Sequence, residues 1–440
     1  MRWTALALKD VSINIQTGPF GSQLHQSDYS GSGIPVVMPK DILNDKIVER
    51  DIARVEEIHV NRLSRHIIKK GDIIYSRRGD VGRCAFVTEH EAGWLCGTGC
   101  LRVTIDPQVA DPKFVFYQLQ QPATVGWVEK HAIGATMLNL NTTILGNIPL
   151  SLPTIETQKK IADILSAYDN LIKNNQKQIM LLEEAAQRLY KEWFINLHFP
   201  GYEDTAIVDG VPDGWTKNTL LTITEFKRGK TITKEQVING FVPVVAGGLS
   251  PAYYHNKANT TAPVITVSAS GANAGYVKLY LEDVFASDCS FADIKNTPYL
   301  YFVYCFLKNN DSKMRSMQKG AAQPHVYAKD INAMELLIPP CIILKNFCDI
   351  ITPYFELLVK KEKQIKQATA ARNRLLPKLM SGELEVTIDK KEPVKVDKFE
   401  NIRKHWQNVP YNADLPLAAR KTGDISEETL EKLKDIAEEE

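Results

Sequence analysis

The stretch IPLSLPTIETQKKIADIL, residues 148 to 165, passes from alternating apolar residues through a proline straight into a helix-period pattern. MELLIPPCIILKNFCDII, residues 334 to 351, does the same 186 residues later. Sliding the chain on itself by 186 pairs Gly134 with Gly320, Pro153 with Pro339, Tyr168 with Tyr354, Leu171 with Leu357, Ile179 with Ile365, Arg188 with Arg374 and Leu189 with Leu375, without a gap. Farther upstream the match continues as the offset drifts. Trp3 pairs with Trp215, Pro35-Val36-Val37 with Pro243-Val244-Val245, and Gly79 with Gly271, so the offset falls from 212 to 186. The first unit therefore carries extra loop residues. A period this long implies a duplicated domain and not a solenoid.

A chain of 440 residues has room for two or three domains. Its 44% apolar and 24% charged content is that of a globular protein, which excludes disordered and collagen-like classes. No apolar run approaches the ~20 residues that span a bilayer. In MRWTALALKDVS, Asp10 stands where a signal peptide would continue its apolar core. The expected location is cytoplasmic. Seven cysteines without a CxxC pair or a histidine at zinc spacing are expected to be buried, reduced thiols.

Each globular unit reads as mixed α/β, rich in strands. GDIIYSRRG, CAFVT, LRVTI, APVITVSAS and AGYVKLYL are short apolar runs bounded by turn residues, whereas DPKFVFYQLQQ and TPYLYFVYCFLKNN are helical. Glycine-rich joints at TGPFGS (17–22), RRGDVG (77–82) and SASGANAG (268–275) separate strands, where recognition groups are commonly placed.

The segments after each unit carry a heptad signal. Leu165, Ile172, Ile179, Ala186 and Trp193 take one seam position, and Tyr168, Asn175, Leu182 and Leu189 the other. Transposed by 186, the lattice selects Ile351, Leu358, Ile365, Arg372 and Leu379, with Tyr354, Lys361, Ala368 and Leu375. Asn175 and Lys361 occupy equivalent seam sites, where a polar residue sets register at a cost in stability. Two amphipathic helices in one chain bury their faces best against each other, which predicts an antiparallel coiled coil related by a pseudo-two-fold. Thr352-Pro353 reads as an N-cap and first helical residue, so the second coil helix is expected to start near 353, after a short helix at about 342–351. HFPG and MSGE supply the stops. Coil helices of this reach predict a rod of ~40–45 Å. The boundaries fall at 1–153, 154–200, 201–340 and 341–386, followed by an acidic tail, 387–440.

Catalytic motifs are lacking: the sequence has no GxxxxGK[ST], GxGxxG turn, HExxH or GxSxG. NVPY (Asn408 to Tyr411) approximates the NPPY of amino-methylating DNA methyltransferases but has Val409 for proline and no upstream cofactor loop. Pro212-Asp213 with Glu225 and Lys227 matches a loose nuclease spacing. VPDGW is equally a turn into the second unit. Charge is nearly balanced, 16 cations against 15 anions over residues 1–153, and basic only in patches such as Arg62, Arg65, Lys69, Lys70, Arg77, Arg78 and Arg83. A duplicated module without catalytic residues, held apart on a rod, suits a ligand with two separated sites, and DNA is the natural candidate.

LPTIETQKKIADIL with LYKEWF, the turn VPDGW and above all RNRLLPKLMSGELEV (372–386) resemble the specificity subunits of type I restriction-modification enzymes, over about residues 1–386. The resemblance implies a subunit without its own catalytic site that binds double-stranded DNA. Each target-recognition domain would read half of a bipartite, asymmetric site, and the coil would set the spacer. It also implies two methylation subunits using S-adenosylmethionine on adenine N6, and restriction/translocase subunits using ATP and Mg. These cofactors would bind the partners. Lys173, Lys177, Glu183, Lys360 and Lys363 on the helices are expected to dock them. The alternatives are a self-contained methylase or nuclease and a protein-binding scaffold. ISEETLEKLKDIAEEE in the tail reads as a capped acidic helix beyond the resemblance.

Base reading calls for Arg, Lys, Asn or Gln, with Lys, Ser and Thr on phosphates. In the first unit the candidates are the Thr17 to Ser22 loop, Arg77 and Arg78, and Asn139 and Asn141. In the second they are Lys227, Arg228, Ser268, Ser270, Lys319, Gln323 and His325, the last aligned with Asn139. No metal site is expected.

Overall fold

The computed structural model describes residues 3–134, 138–319 and 324–386. Gln323, the NVPY stretch and the acidic tail lie outside the described residues.

In the first lobe, β-branched and aliphatic runs form a four-stranded antiparallel sheet in the spatial order Ser12–Thr17, Cys100–Ile105, Ile73–Ser76, Cys84–Phe86. The second lobe repeats that order with Lys227–Arg228, Cys289–Asp293, Val264–Ser268 and Val277–Tyr280. Ile73–Ser76 and Val264–Ser268 are buried throughout, which explains why they read as continuous runs and not as alternating strands.

A second sheet agrees residue by residue. Pro35 faces Arg54 and Val36 faces Ala53 antiparallel, while Leu95 and Cys96 pair with Val36 and Val37 in parallel. In the other lobe Pro243 faces Tyr254 and Val244 faces Tyr253, while Phe285 and Ala286 pair in parallel with Val244 and Val245. The terminal ribbons match too, Ala5 against Ser151 and Lys217 against Leu337. Duplication is thus preserved in hydrogen-bond register. The extra residues of the first lobe lie in the hairpin of Ile42–Leu43 and Lys46–Ile47 and around the helix Glu57–Arg62. The hairpin turns through Asn44 and Asp45 at φ 48° and 63°, as a two-residue primed turn requires.

Two long helices, Ile155–Phe194 and Cys341–Ser381, pack antiparallel. Trp193, near the end of the first, lies 5.8 Å from Phe347, near the start of the second. At the other end Asp169 pairs with Arg372 at 2.7 Å. Every seam residue selected by the heptads is buried or half-buried, and Asn175 is 1% exposed with its Nδ2 unpartnered. Lys361, its equivalent, is half-buried.

The expected break before Pro353 is absent, since Cys341–Ser381 is one helix. Thr352 does not cap; its hydroxyl donates to the Cys348 carbonyl at 2.7 Å, one turn back. An interior proline costs about 3 kcal/mol. Ile351, Phe355 and Leu358, buried around it in an aromatic core, offset that cost. At 40 and 41 residues, the helices are each about 60 Å long, longer than the coil expected from sequence. Gly382 ends the second helix at φ 75°, where a Cβ would lie 2.6 Å from the Trp3 indole nitrogen.

The ends of the coil are absorbed into the lobes. Ile161, Ala162, Leu165, Leu379 and Met380 join the first core, whereas Ala186, Tyr190, Trp193, Phe194, Phe347 and Phe355 join the second. Six cysteines are buried, and burial pushes the Cys96 thiol up to about 12; Cys341, at the start of its helix, is exposed, contrary to expectation. Among the described residues no helix is long and apolar enough to cross a membrane.

Candidate nucleic-acid interface

The repeat brings two distant loops together in each lobe. In the first, Leu140 N–H donates to Arg77 O at 2.8 Å and Gly79 N–H to Leu138 O at 3.1 Å, so that Arg78 and Asn139 face each other. In the second, Val326 N–H donates to Ala269 O at 3.0 Å and Gly271 N–H to Pro324 O at 3.0 Å, so that Ser270 faces His325. Asn139 also exchanges both backbone bonds with Ile133, as His325 does with Lys319. These are the same bonds at equivalent positions. Gly79 and Gly271 take φ 75° and 79°, which only glycine tolerates without strain and which turns each chain into the junction.

The Thr17 to Ser22 loop borders the first junction. Gly18 N–H donates to Cys100 O at 2.9 Å, as Gly229 N–H donates to Cys289 O at 2.8 Å in the second lobe. Thr17 and Arg228 are therefore structural equivalents, one residue before their glycines. Ser22 is exposed on the loop.

Electrostatics separate the two surfaces. Within the basic run, Arg62 pairs with Asp28 at 3.2 Å, Lys70 with Glu89 at 2.9 Å and Arg83 with Asp80 at 2.9 Å. Arg65 donates to the buried His66 ring at 3.0 Å. Burial, reinforced by Arg65 and Arg102, lowers the His66 pKa to about 4. Arg77 and Arg78 have no ion-pair partner among the described residues. Arg77 donates through Nε to Leu140 O at 3.2 Å, and its guanidinium carbon sits 6.0 Å from the Phe20 ring centre. The run is thus not one uniform solvated face: Arg62, Lys70 and Arg83 are matched by carboxylates, whereas among the described residues Arg77 and Arg78 at the junction are not.

The second surface is compensated. Arg228 lies 3.7 Å from Asp288, which also accepts a hydrogen bond from Ser270. Lys319 is held by Asp330 at 2.8 Å, and Lys227 by Glu225 at 3.4 Å. Arg228, Ser290, His325 and Tyr327 line one small cavity, with the His325 and Tyr327 rings nearly parallel.

Three sequence candidates have structural duties. Ser268 is 4% exposed and donates to Gly247 O at 3.1 Å, so it braces the loop and cannot reach a base. Asn141 caps the helix Thr142–Gly146, its side-chain oxygen accepting from Ile144 N–H at 2.7 Å. Glu183, expected to be free for docking, accepts from the Tyr304 hydroxyl of the second lobe at 3.3 Å. Asp213 of the nuclease-like pattern lies in a turn, its N–H donating to Ala206 O at 2.8 Å. Sequence reading named the Thr17 to Ser22 loop without singling out Phe20, and missed Tyr327 and Asp288. For Phe20 a signal existed: a large apolar ring placed among turn residues.

The family described as type I restriction modification DNA specificity domain matches residues 2–184 and again 212–369. The two matches coincide with the two halves of the repeat. The chain belongs to this family. It is 26% identical over 415 residues to the type I restriction enzyme MjaIX specificity subunit of Methanocaldococcus jannaschii, covering 87% of this chain and 94% of that one. It is 24% identical over 323 residues to the putative type I specificity subunit S.MgeORF438P of Mycoplasma genitalium, covering 70% and 80%. A crystal structure of the type I restriction-modification S subunit from M. genitalium superposes with a TM-score of 0.59 at 18% identity, over 88% of this chain and 97% of that one. The paired loops accordingly belong to two DNA specificity domains joined by a coil.

Proposed function

We propose that this specificity subunit reads a bipartite, asymmetric site on double-stranded DNA, one half-site per lobe, with the coil setting the length of the unread spacer. The observation that carries this reading is the repeated junction, Arg78 with Asn139 and Ser270 with His325, built by identical backbone bonds in lobes at opposite ends of one coil. Identical scaffolds support equivalent docking on DNA, and different side chains on them support different half-sites. Thr17, Ser22, Arg77, Arg78 and Asn139 are assigned to the first half-site, and Lys227, Arg228, Ser270, Lys319 and His325 to the second.

The chain carries no chemistry of its own in this reading. Two methylation subunits with S-adenosylmethionine dock on the pseudo-two-fold coil, where Lys173, Lys177, Lys360 and Lys363 are exposed, and restriction/translocase subunits with ATP and Mg complete a cytoplasmic complex. The test is co-expression with the methylation subunit, followed by single-molecule sequencing of host DNA for N6-methyladenine, with and without this chain. One bipartite motif, lost without the chain, is expected. Absence of any motif from a folded, active complex would overturn the proposal in favour of a protein-binding scaffold.

A further inference from the structure

Phe20 is 52% exposed, yet its loop is fixed on all sides. Thr98 Oγ1 donates to Pro19 O at 2.9 Å, Phe20 N–H to Gln23 Oε1 at 3.1 Å, and Gln23 N–H to Phe20 O at 2.8 Å. A Cβ on Gly18 would stand 2.0 Å from Gly97 O, so this loop packs against its neighbour as closely as backbone allows. An apolar ring held in solvent by a rigid loop is costly unless something covers it. What it faces is the Arg77 guanidinium, 6.0 Å away.

Arg77 is held in turn by the Leu140 carbonyl at Nε, while Nη1 and Nη2 have no acceptor among the described residues. A guanidinium bonded at Nε, with a ring beside it, is left with two terminal amines to offer. That edge matches O6 and N7 of guanine in the major groove. The second lobe does not repeat the device. By the shared register, Ala269 stands for Arg77, and Thr231, two residues after Gly229, stands for Phe20.

We infer that Phe20 is a positioning residue for base reading: its ring holds Arg77 in place to select a guanine in the half-site of the first lobe only. The inference rests on the proposed reading of DNA by the two lobes.

The experiment uses the full complex with the methylation subunits. It compares wild type with Phe20→Ala, Phe20→Tyr and Arg77→Lys by N6-methyladenine sequencing and by methylation kinetics on duplexes varied at single positions. His325→Ala, in the second lobe, marks which half-site belongs to which lobe. Phe20→Ala is expected to relax one guanine position by about tenfold. The other half-site and the spacer stay unchanged, and the loss resides in KM and not in kcat. Arg77→Lys should relax the same position, and Phe20→Tyr should restore it. A Phe20→Ala motif identical to wild type overturns the inference while leaving the function standing. Equal damage to both half-sites overturns it as well, because a folding defect is then the cause. No bipartite motif even with wild type would overturn the functional proposal and this inference together.

Discussion

The two lobes share one backbone plan but join the coil differently. At the first junction Tyr117 donates to Asp169 at 2.5 Å, and Asp169 accepts from Arg372 at 2.7 Å, so lobe and both helices meet in one polar knot. Lys113 lies beside it over the Phe86, Phe116 and Tyr117 rings at 4.2, 4.8 and 5.4 Å, and burial lowers its pKa. The pseudo-two-fold places Phe355 where Asp169 stands and Ala186 where Arg372 stands. There the second lobe stacks Tyr301 flat on Phe355, 4.2 Å between ring centres. Both lobes bury coil residues in their cores, but at these equivalent positions an aromatic stack serves the second lobe where directional polar bonds serve the first. The loop junctions differ in the same spirit, with guanidiniums unpaired among the described residues at the first and carboxylate-matched cations at the second. Duplication conserved backbone register and left side-chain chemistry to diverge.

The largest expected effect comes from the apolar junction. Phe355, 1% exposed, should cost about 3–5 kcal/mol on replacement by alanine, with hydrogen-exchange protection lost first in the second lobe. Comparable loss in both lobes would break the contrast between the junctions.

Acid should act on the other lobe. The folded pKa of His66 is about 4, below the ordinary 6.5, so the unfolded chain binds the proton more readily. Stability is complete above pH about 6.5 and declines by up to about 3 kcal/mol as pH falls toward 4. His66→Gln should flatten that slope in the first lobe, and lobe-resolved exchange between pH 7 and 4 checks it.

Asp169→Ala should cost about 1–2 kcal/mol, because it leaves Arg372 and the Tyr117 hydroxyl without their shared acceptor in a partly solvated site. The double change Asp169→Phe with Arg372→Ala, which copies the second junction, should recover part of it in thermal unfolding.

The smallest effect has the opposite sign. Asn175→Leu removes a buried amide whose nitrogen has no partner and should stabilise the coil by about 1 kcal/mol. If Asn175 sets register, the gain comes with a motif whose spacer is no longer of one length.

Much of this was legible because repetition and heptads are written in residue order. Gly79 and Gly271 make the same backbone bond in the two lobes, and Trp3 and Trp215 each stand one residue before equivalent strands, Thr4–Ala7 and Thr216–Thr219. Pro353 misled because local helix rules rank it as a start, whereas burial of Ile351, Phe355 and Leu358 outweighs the missing hydrogen bond. Ser268 misled because a polar residue near a glycine turn can serve the loop itself as easily as a ligand.

The sequence alone determined the duplication and the antiparallel coil, since both depend on periodicity and spacing along the chain, and its motifs RNRLLPKLMSGELEV and VPDGW carried the family resemblance. Only the tertiary structure decided which charges remain free. Arg62 and Arg77 look alike in sequence, but one meets Asp28 and the other meets Leu140 and Phe20, distant residues brought near by folding. Whether a charge is neutralised depends on contacts within a few ångströms, and sequence distance does not encode them.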